Sequence, residues 1–206
     1  AGRTMDSVMI SEFLGTAHPG ETGATTVSAG TLQFNQGFNF GNSVSGAGNI
    51  TRIGMGRLVL TGNNTFTGDL CISNSYVTAR GENALSSSAS GVITVYKRNS
   101  KTAGNLTLGN VTVKKPLIIQ NTDDASNSYS NALVGEPNTV NVVESLVTIQ
   151  GAYLRMEAQT NSRFIFKGGT KPATADFFNR GICLPSDIKM TEDQQQIIIE
   201  IIRSCF

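Results

Sequence analysis

The sequence predicts an all-β fold built as a solenoid of stacked strands, with a short C-terminal α-helix. Three observations carry this. Gly (22 residues), Ser, Thr and Asn together supply more than a third of the 206 residues, while charged residues supply 15%. Short runs of alternating polarity, bounded by turn residues, recur from residue 24 to about residue 167. A Gly-x-Leu or Gly-x-x-Leu pattern recurs at Gly30-Thr31-Leu32, Gly56-Arg57-Leu58, Gly104-Asn105-Leu106 and Gly151-Ala152-Tyr153-Leu154. These glycines are 26, 48 and 47 residues apart, which predicts a structural unit of about 24 residues.

Composition also excludes. Lys+Arg 16 against Asp+Glu 15 leaves a net charge of +1, so charge gives no general reason to bind nucleic acid or an anionic membrane. A coiled coil needs a chain dominated by Ala, Glu, Lys, Leu and Arg, and this chain is not. With 39% hydrophobic residues it can support a core, so full disorder is excluded. No run approaches the ~20 apolar residues of a transmembrane helix. Cys71, Cys183 and Cys205 form neither a disulfide framework nor a zinc pattern.

Residues 1–23 are weakly patterned and read as an irregular segment or cap. They lack a basic stretch followed by an apolar one, so no export signal is predicted within the chain. That leaves a cytoplasmic protein or a piece of something longer. Residues 24–167 form the strand region. Thr31-Leu32-Gln33-Phe34, Arg57-Leu58-Val59-Leu60-Thr61, Gly91-Val92-Ile93-Thr94-Val95 and Asn105-Leu106-Thr107-Leu108 are its clearest strands. Leu58 and Leu60 are predicted to point inward, with Arg57, Val59 and Thr61 outward. One unit cannot bury its apolar face alone, but stacked units can. Each buried aliphatic side chain then contributes roughly 1.5–3 kcal/mol. An antiparallel sandwich with coincidental spacing is the competing reading.

Residues 168–206 form a connector and tail. Thr191-Glu192-Asp193-Gln194 fits a capping box, and Ile197, Ile198, Ile201 and Ile202 share one helical face. A helix over residues 191–204 is predicted. It is marginal alone in water.

Residues 45–80 carry Gly54, Gly56, Leu58, Leu60, Gly62, Asn64, Thr65, Phe66, Thr67 and Gly68 in order. This run resembles the autotransporter-associated β-strand repeat, whose pattern is Gly-x-Gly-x-Leu-x-Leu-x-Gly-x-Asn-Thr-aromatic-Thr-Gly. Leu70 and Cys71 stand where that family usually has Thr. Residues 24–34 resemble the end of a preceding repeat, and 104–167 more passenger sequence of the same style. The resemblance implies a right-handed parallel β-helix, exported as the passenger of a bacterial autotransporter and displayed at the cell surface. It also implies an outer-membrane barrel in the parent protein. Asn64 is expected to stack on asparagines of neighbouring units or to bond its own turn. Phe66 is expected to fill a corner or the core.

The tail resembles something else. Phe177-Phe178-Asn179-Arg180-Gly181-Ile182-Cys183-Leu184-Pro185-Ser186-Asp187, followed by Met190-Thr191-Glu192 and the predicted helix, is similar to the C-terminus of a pyridoxal-phosphate-dependent nucleotide-sugar aminotransferase. That family's cofactor lysine and phosphate-binding residues have no match between residues 24 and 167. Residues 176–206 therefore read as a fused or recombined remnant. The alternative is a cap over the open end of the solenoid.

Candidate chemistry is sparse. Hydrolysis of a polysaccharide needs two carboxylates across the bond, and the only adjacent acidic pair in the strand region is Asp123-Asp124, in a loop-like stretch. A lyase needs a calcium cluster and a basic proton acceptor; Asp123, Asp124 and Arg155 offer the residue types without the spacing. His18 lies beside a turn with no partner pattern. Lys97-Arg98, Lys101 and Lys114-Lys115 are predicted at loop edges, where charge blunts exposed strand edges. Cys71 is predicted to face outward and to be inert. Asn-x-Ser/Thr sites at Asn49, Asn63, Asn105 and Asn110 are no more than a chain so rich in Ser and Thr gives by chance.

The sequence therefore predicts a structural passenger segment, a stalk or adhesin-like scaffold at the cell surface. It predicts no enzymatic activity, no catalytic or metal site and no cofactor. Surface glycans or host matrix are the expected partners, with no nucleic acid and no direct membrane insertion. A carbohydrate-active β-helix enzyme and a remnant sugar aminotransferase are the alternatives.

Overall fold

The computed structural model describes residues 3–5, 23–97, 104–121, 132–150, 155–168 and 170–172. The chain divides into two compact units, residues 1–173 and 174–206. The second unit lies outside the described residues, and with it the predicted helix over 191–204. The described part is all-β, with no helix.

The strands follow one another in passes. A first strand, β1 (Arg3–Met5), pairs with β2 (Ala24–Val27), which is followed by β3 (Thr31–Phe34) and β4 (Asn39–Phe40). The second pass is β5 (Ser43–Ser45), β6 (Asn49–Arg52) and β7 (Arg57–Leu60). The third holds β8 (Leu70–Ser73) and β9 (Tyr76–Arg80), the fourth β10 (Ile93–Lys97) and β11 (Asn105–Gly109). The fifth is β12 (Thr112–Val113), β13 (Leu117–Asn121) and β14 (Ala132–Gly135), the sixth β15 (Val140–Val143), β16 (Val147–Gln150) and β17 (Arg155–Ala158). The chain then continues through β18 (Arg163–Phe166) and β19 (Thr170–Pro172).

Each pass pairs with the next, and every pairing is parallel. A seven-stranded sheet runs β19-β16-β13-β10-β8-β6-β3 and a six-stranded sheet β17-β14-β11-β9-β7-β4. Two three-stranded sheets, β1-β2-β5 and β12-β15-β18, complete the set. Between those two, the third and fourth passes cross without strands but stay bonded: Thr65 donates its backbone N–H to Val44 (2.8 Å), Ser87 to Asn64 (2.9 Å) and Thr112 to Glu82 (3.0 Å). An all-β chain of stacked parallel strands is consistent with a parallel β-helix. It rules out a fold built on antiparallel hairpins.

The passes vary around the predicted unit length. Along the seven-stranded sheet, Thr31 pairs with Asn49, Ile50 with Leu70, Leu70 with Ile93, Ile93 with Leu117, Leu117 with Val147 and Val147 with Thr170, offsets of 18 to 30 residues that average 23. The Gly-x-Leu copies also sit on different sheets. Gly30 precedes β3, whereas Gly56 and Gly104 precede β7 and β11. The 48 residues from Gly56 to Gly104 are two unequal passes, since Arg57 pairs with Tyr76 and Tyr76 with Asn105. Parallel stacking fixes which faces meet, not how many residues each corner spends.

The core follows the alternation. Leu58, Leu60, Leu70, Ile72, Val77, Ile93, Leu106 and Leu117 are buried in a single cluster that runs through the stack. Arg57 and Thr61 are exposed as predicted, but Val59 is buried. Its register neighbour Thr78 is buried too, and the Arg57 guanidinium lies over that row, donating from Nη1 to Thr78 Oγ1 at 2.9 Å. An outward position on a middle strand is thus shielded by the long side chain beside it. In the first pass, Phe34, Phe38 and Phe40 pack edge to face, with centroids 5.1–6.1 Å apart.

Candidate functional site

Three polar corners interrupt this apolar stack, and they gather the chemistry of the described residues. The first is built on Asn64, which is buried in the third pass. Its Oδ1 accepts from the backbone N–H of Val44 at 2.7 Å, one pass earlier. Its Nδ2 donates to the carbonyl of Ala84 at 2.7 Å, one pass later. Asn64 therefore does not stack on other asparagines. It joins the backbones on both sides where the strand pairing lapses, and so satisfies groups that burial would leave orphaned. The exposed neighbour does the stacking instead: Asn83 Nδ2 donates to Asn63 Oδ1 at 3.0 Å.

The second corner holds Phe66 and Lys115. Phe66 is fully buried in the core cluster. Lys115, predicted at a loop edge, is also fully buried. It is in phase with the inward Val113, so its stem follows the core and its ammonium must find partners inside. Nζ donates to the carbonyl of Gly68 at 3.1 Å and to that of Ser90, and lies 4.8 Å from the centroid of the Phe66 ring. Burial pushes its pKa below the ordinary lysine value, and Asp69 partly restores it. A buried ammonium on two carbonyls and a π face is a satisfied cation.

The third corner is Arg52, inward-facing and fully buried at the end of β6. Nη1 donates to the carbonyls of Phe34 (3.0 Å) and Ile53, and Nη2 to those of Met55 (2.7 Å) and Gly56 (2.9 Å). Nε has no partner among the described residues, and burial lowers the guanidinium's pKa. The corner passes so close to the preceding one that Gly54, at φ +81°, admits no Cβ: one would lie 2.2 Å from the Asn35 carbonyl. Sequence reasoning passed over Arg52 and misplaced Lys115. The signal for both was a cation at an inward position of an alternating run.

The remaining sequence candidates are not brought together. Asp123, Asp124, His18, Arg98 and Lys101 lie outside the described residues. Lys97 ends β10 and Arg155 opens β17. Lys114 is half-buried. Cys71 is half-buried on β8, and burial and then Asp69 raise its pKa, which keeps the thiol protonated. Asn49 Oδ1 accepts from the Asp69 N–H (2.9 Å), Asn105 Oδ1 from Thr107 Oγ1 (2.9 Å) and Asn110 Oδ1 from the Val140 N–H (3.0 Å). Among the described residues, no group of three or more His, Cys, Asp and Glu is placed to hold a metal ion. The corners bond backbone to backbone across passes, and that is the chemistry of a repeat scaffold.

The comparison with protein families agrees with this class. Residues 22–34 and 50–74 match the passenger-associated-transport-repeat. The first stretch covers β2 and β3, and the second runs from β6 to the end of β8, taking in Arg52, Gly54, Asn64 and Phe66. These two stretches are similar to the repeats of autotransporter passengers. No curated protein and no solved structure matches the chain. The resemblance of residues 176–206 to a sugar aminotransferase finds no support in these comparisons.

Proposed function

We propose that this chain is a structural segment of a surface-displayed autotransporter passenger, folded as a right-handed parallel β-helix that serves as a stalk or adhesive scaffold. The observation that carries the reading is the coincidence of repeat and structure. The matched stretch at 50–74 spans one full passage between successive strands of the seven-stranded sheet. Residues within that stretch build the corners: Arg52 and Gly54 at one, Asn64 and Phe66 at the others. A scaffold of this kind needs neither a catalytic constellation nor a cofactor, and none is assigned. Surface glycans or matrix are the proposed contacts of its outward polar rows, and the barrel of the parent protein is its proposed route to the surface.

The test is display. The full chain is placed between a cleavable signal peptide and an outer-membrane barrel in a Gram-negative host. Protease added to intact cells should then remove it, while a periplasmic marker survives. Retention of the folded chain in the periplasm, with the barrel correctly inserted, would count against the passenger reading.

A further inference from the structure

In a stack of repeats each pass ordinarily contacts only its neighbours, so stability is close to a sum of nearest-neighbour interfaces. Two side-chain contacts here break that rule, and both skip the same pass. Lys115, in the fifth pass, reaches past the fourth to the carbonyl of Gly68 in the third, bonding Ser90 of the fourth on the way. Its other partner, the Phe66 ring, also belongs to the third pass. On the six-stranded sheet, Arg80 ends β9 and pairs with Gly109 at the end of β11. Glu136 follows β14 and bonds its N–H to Leu108. The row is thus Arg80, Gly109, Glu136, and the outer two members join over the middle one. Arg80 Nε donates to Glu136 Oε2 at 2.9 Å and Nη2 to Oε1 at 2.8 Å. Gly109 makes room for this, since a Cβ there would lie 2.4 Å from Glu136 Oε2.

We propose that these two contacts act as straps across the fourth pass, residues 82–109, and bind the third, fourth and fifth passes into one cooperative block. Without them the fourth pass is the place where the stack opens. Like the third pass, it crosses one face without a strand, through residues 82–87, and holds that face by single backbone bonds and by the side chains of Asn64, Asn83 and Ser86. The lysine strap lies at a corner outside the sheets and the Arg80–Glu136 strap at the end of the six-stranded sheet, and they share no partner among the described residues. Each ties the third pass to the fifth directly, so opening the fourth requires both to break. Both contacts break in one shared opening, so each adds to its free energy and both act on the same set of amides. The inference rests on geometry alone and is independent of whether the chain is exported.

The experiment is native-state hydrogen exchange on the full chain, comparing wild type with Lys115→Met, Glu136→Gln and the double variant. In wild type, the amides of β8, β10, β11 and β13 should exchange through one opening with a common denaturant dependence. In the double variant, β10 and β11 should exchange at least about tenfold faster relative to β6 and β16 than in wild type. Each single variant should already speed both strands, and the two log changes should sum in the double variant. Glu136→Gln is close to isosteric and lies outside the core cluster, so its exchange pattern remains readable if the lysine variant folds poorly; alone it should already speed β11 relative to β7. Uniform acceleration of all strands, or effects confined to each variant's own neighbours, would overturn the proposal.

Discussion

The Lys115 ammonium lies 4.8 Å from the centroid of the Phe66 ring, with both side chains fully buried. A desolvated cation over an aromatic face gains about 2 kcal/mol or more. Phe66→Leu keeps the site apolar but removes the π face. The cost should therefore be larger in wild type than in Lys115→Met, by about 1–2 kcal/mol in a double-mutant cycle read by urea unfolding. Equal costs in the two backgrounds would mean that Phe66 acts only by volume.

The same lysine gives the fold an alkaline signature. Its folded-state pKa lies below the ordinary 10.5, with burial as the main cause. Between the two values the unfolded chain binds more protons than the folded one, so this group adds stability as pH rises toward 10.5. Cys71 opposes it. Its folded-state pKa lies above 9.0, so the stability it contributes is present below 9.0 and is lost as pH rises through the folded value. Denaturation curves from pH 7 to 11 should show Lys115→Met gaining less with pH than wild type, and Cys71→Ser falling less. Curves parallel to wild type would contradict both.

Arg52 is the stronger test of the corners. Arg52→Ala strips donors from the carbonyls of Phe34, Ile53, Met55 and Gly56 and leaves a void where the fully buried side chain stood. The expected cost is about 3–5 kcal/mol. Arg52→Lys keeps the charge but replaces a planar fork with one ammonium, so it should recover only part of that loss. Unfolding midpoints of the two variants check the order, and an alanine variant within about 0.5 kcal/mol of wild type would remove the corner's structural role.

What could be read in the sequence divides along a physical line. Thr31–Phe34 and Asn105–Leu108 fall on β3 and β11 because period-2 alternation is a property of the single strand. Leu58 and Leu60 face inward for the same reason. The repeat of about 24 residues matches the mean pass but not the length of each, because parallel pairing leaves the corners free to lengthen, as between Leu117 and Val147. Lys115 and Arg52 were hidden by their charge. A cation at an inward position reads as surface until the carbonyls that receive it are in place; for Lys115 these come from other passes, and for Arg52 from Phe34 of the preceding pass and from its own turn. Asn64 was recognisable as a repeat residue. Which of its neighbours it would bond was not, since that depends on the lapse of strand pairing at 82–87.

The strand phase of β7 can be checked at two adjacent positions. Leu58→Asp puts a carboxylate at a position with no exposure, between Val77 and the rest of the core, and should cost more than about 4 kcal/mol or prevent folding. Arg57→Asp removes one hydrogen bond to Thr78 and part of the cover over Val59, an expected loss of about 1 kcal/mol. Comparable losses in the two variants would show that the inward row has been misassigned.

Gly109 offers the last test, because the ion pair above it leaves no room for a methyl group. A Cβ at 109 would lie 2.4 Å from Glu136 Oε2 and 3.2 Å from Arg80 Cγ, so Gly109→Ala should push the carboxylate away from its guanidinium. The pairing holds the Glu136 carboxyl below its ordinary 4.5, with the Arg80 hydrogen bond as the main cause. A carboxyl with a depressed folded-state pKa contributes stability that is present above 4.5 and lost as pH falls through the folded value. Gly109→Ala should therefore lose part of the acid dependence of stability below pH 4.5, and part of its sensitivity to salt. Arg80 is more than half exposed, so the pair's contribution is modest and salt screens it. The discriminating comparison is with Glu136→Gln. If the glycine matters because it lets the pair form, the two variants should show the same flattened acid limb, and combining them should flatten it no further. A Gly109→Ala protein that keeps the full acid dependence of wild type would show that the ion pair does not need the glycine.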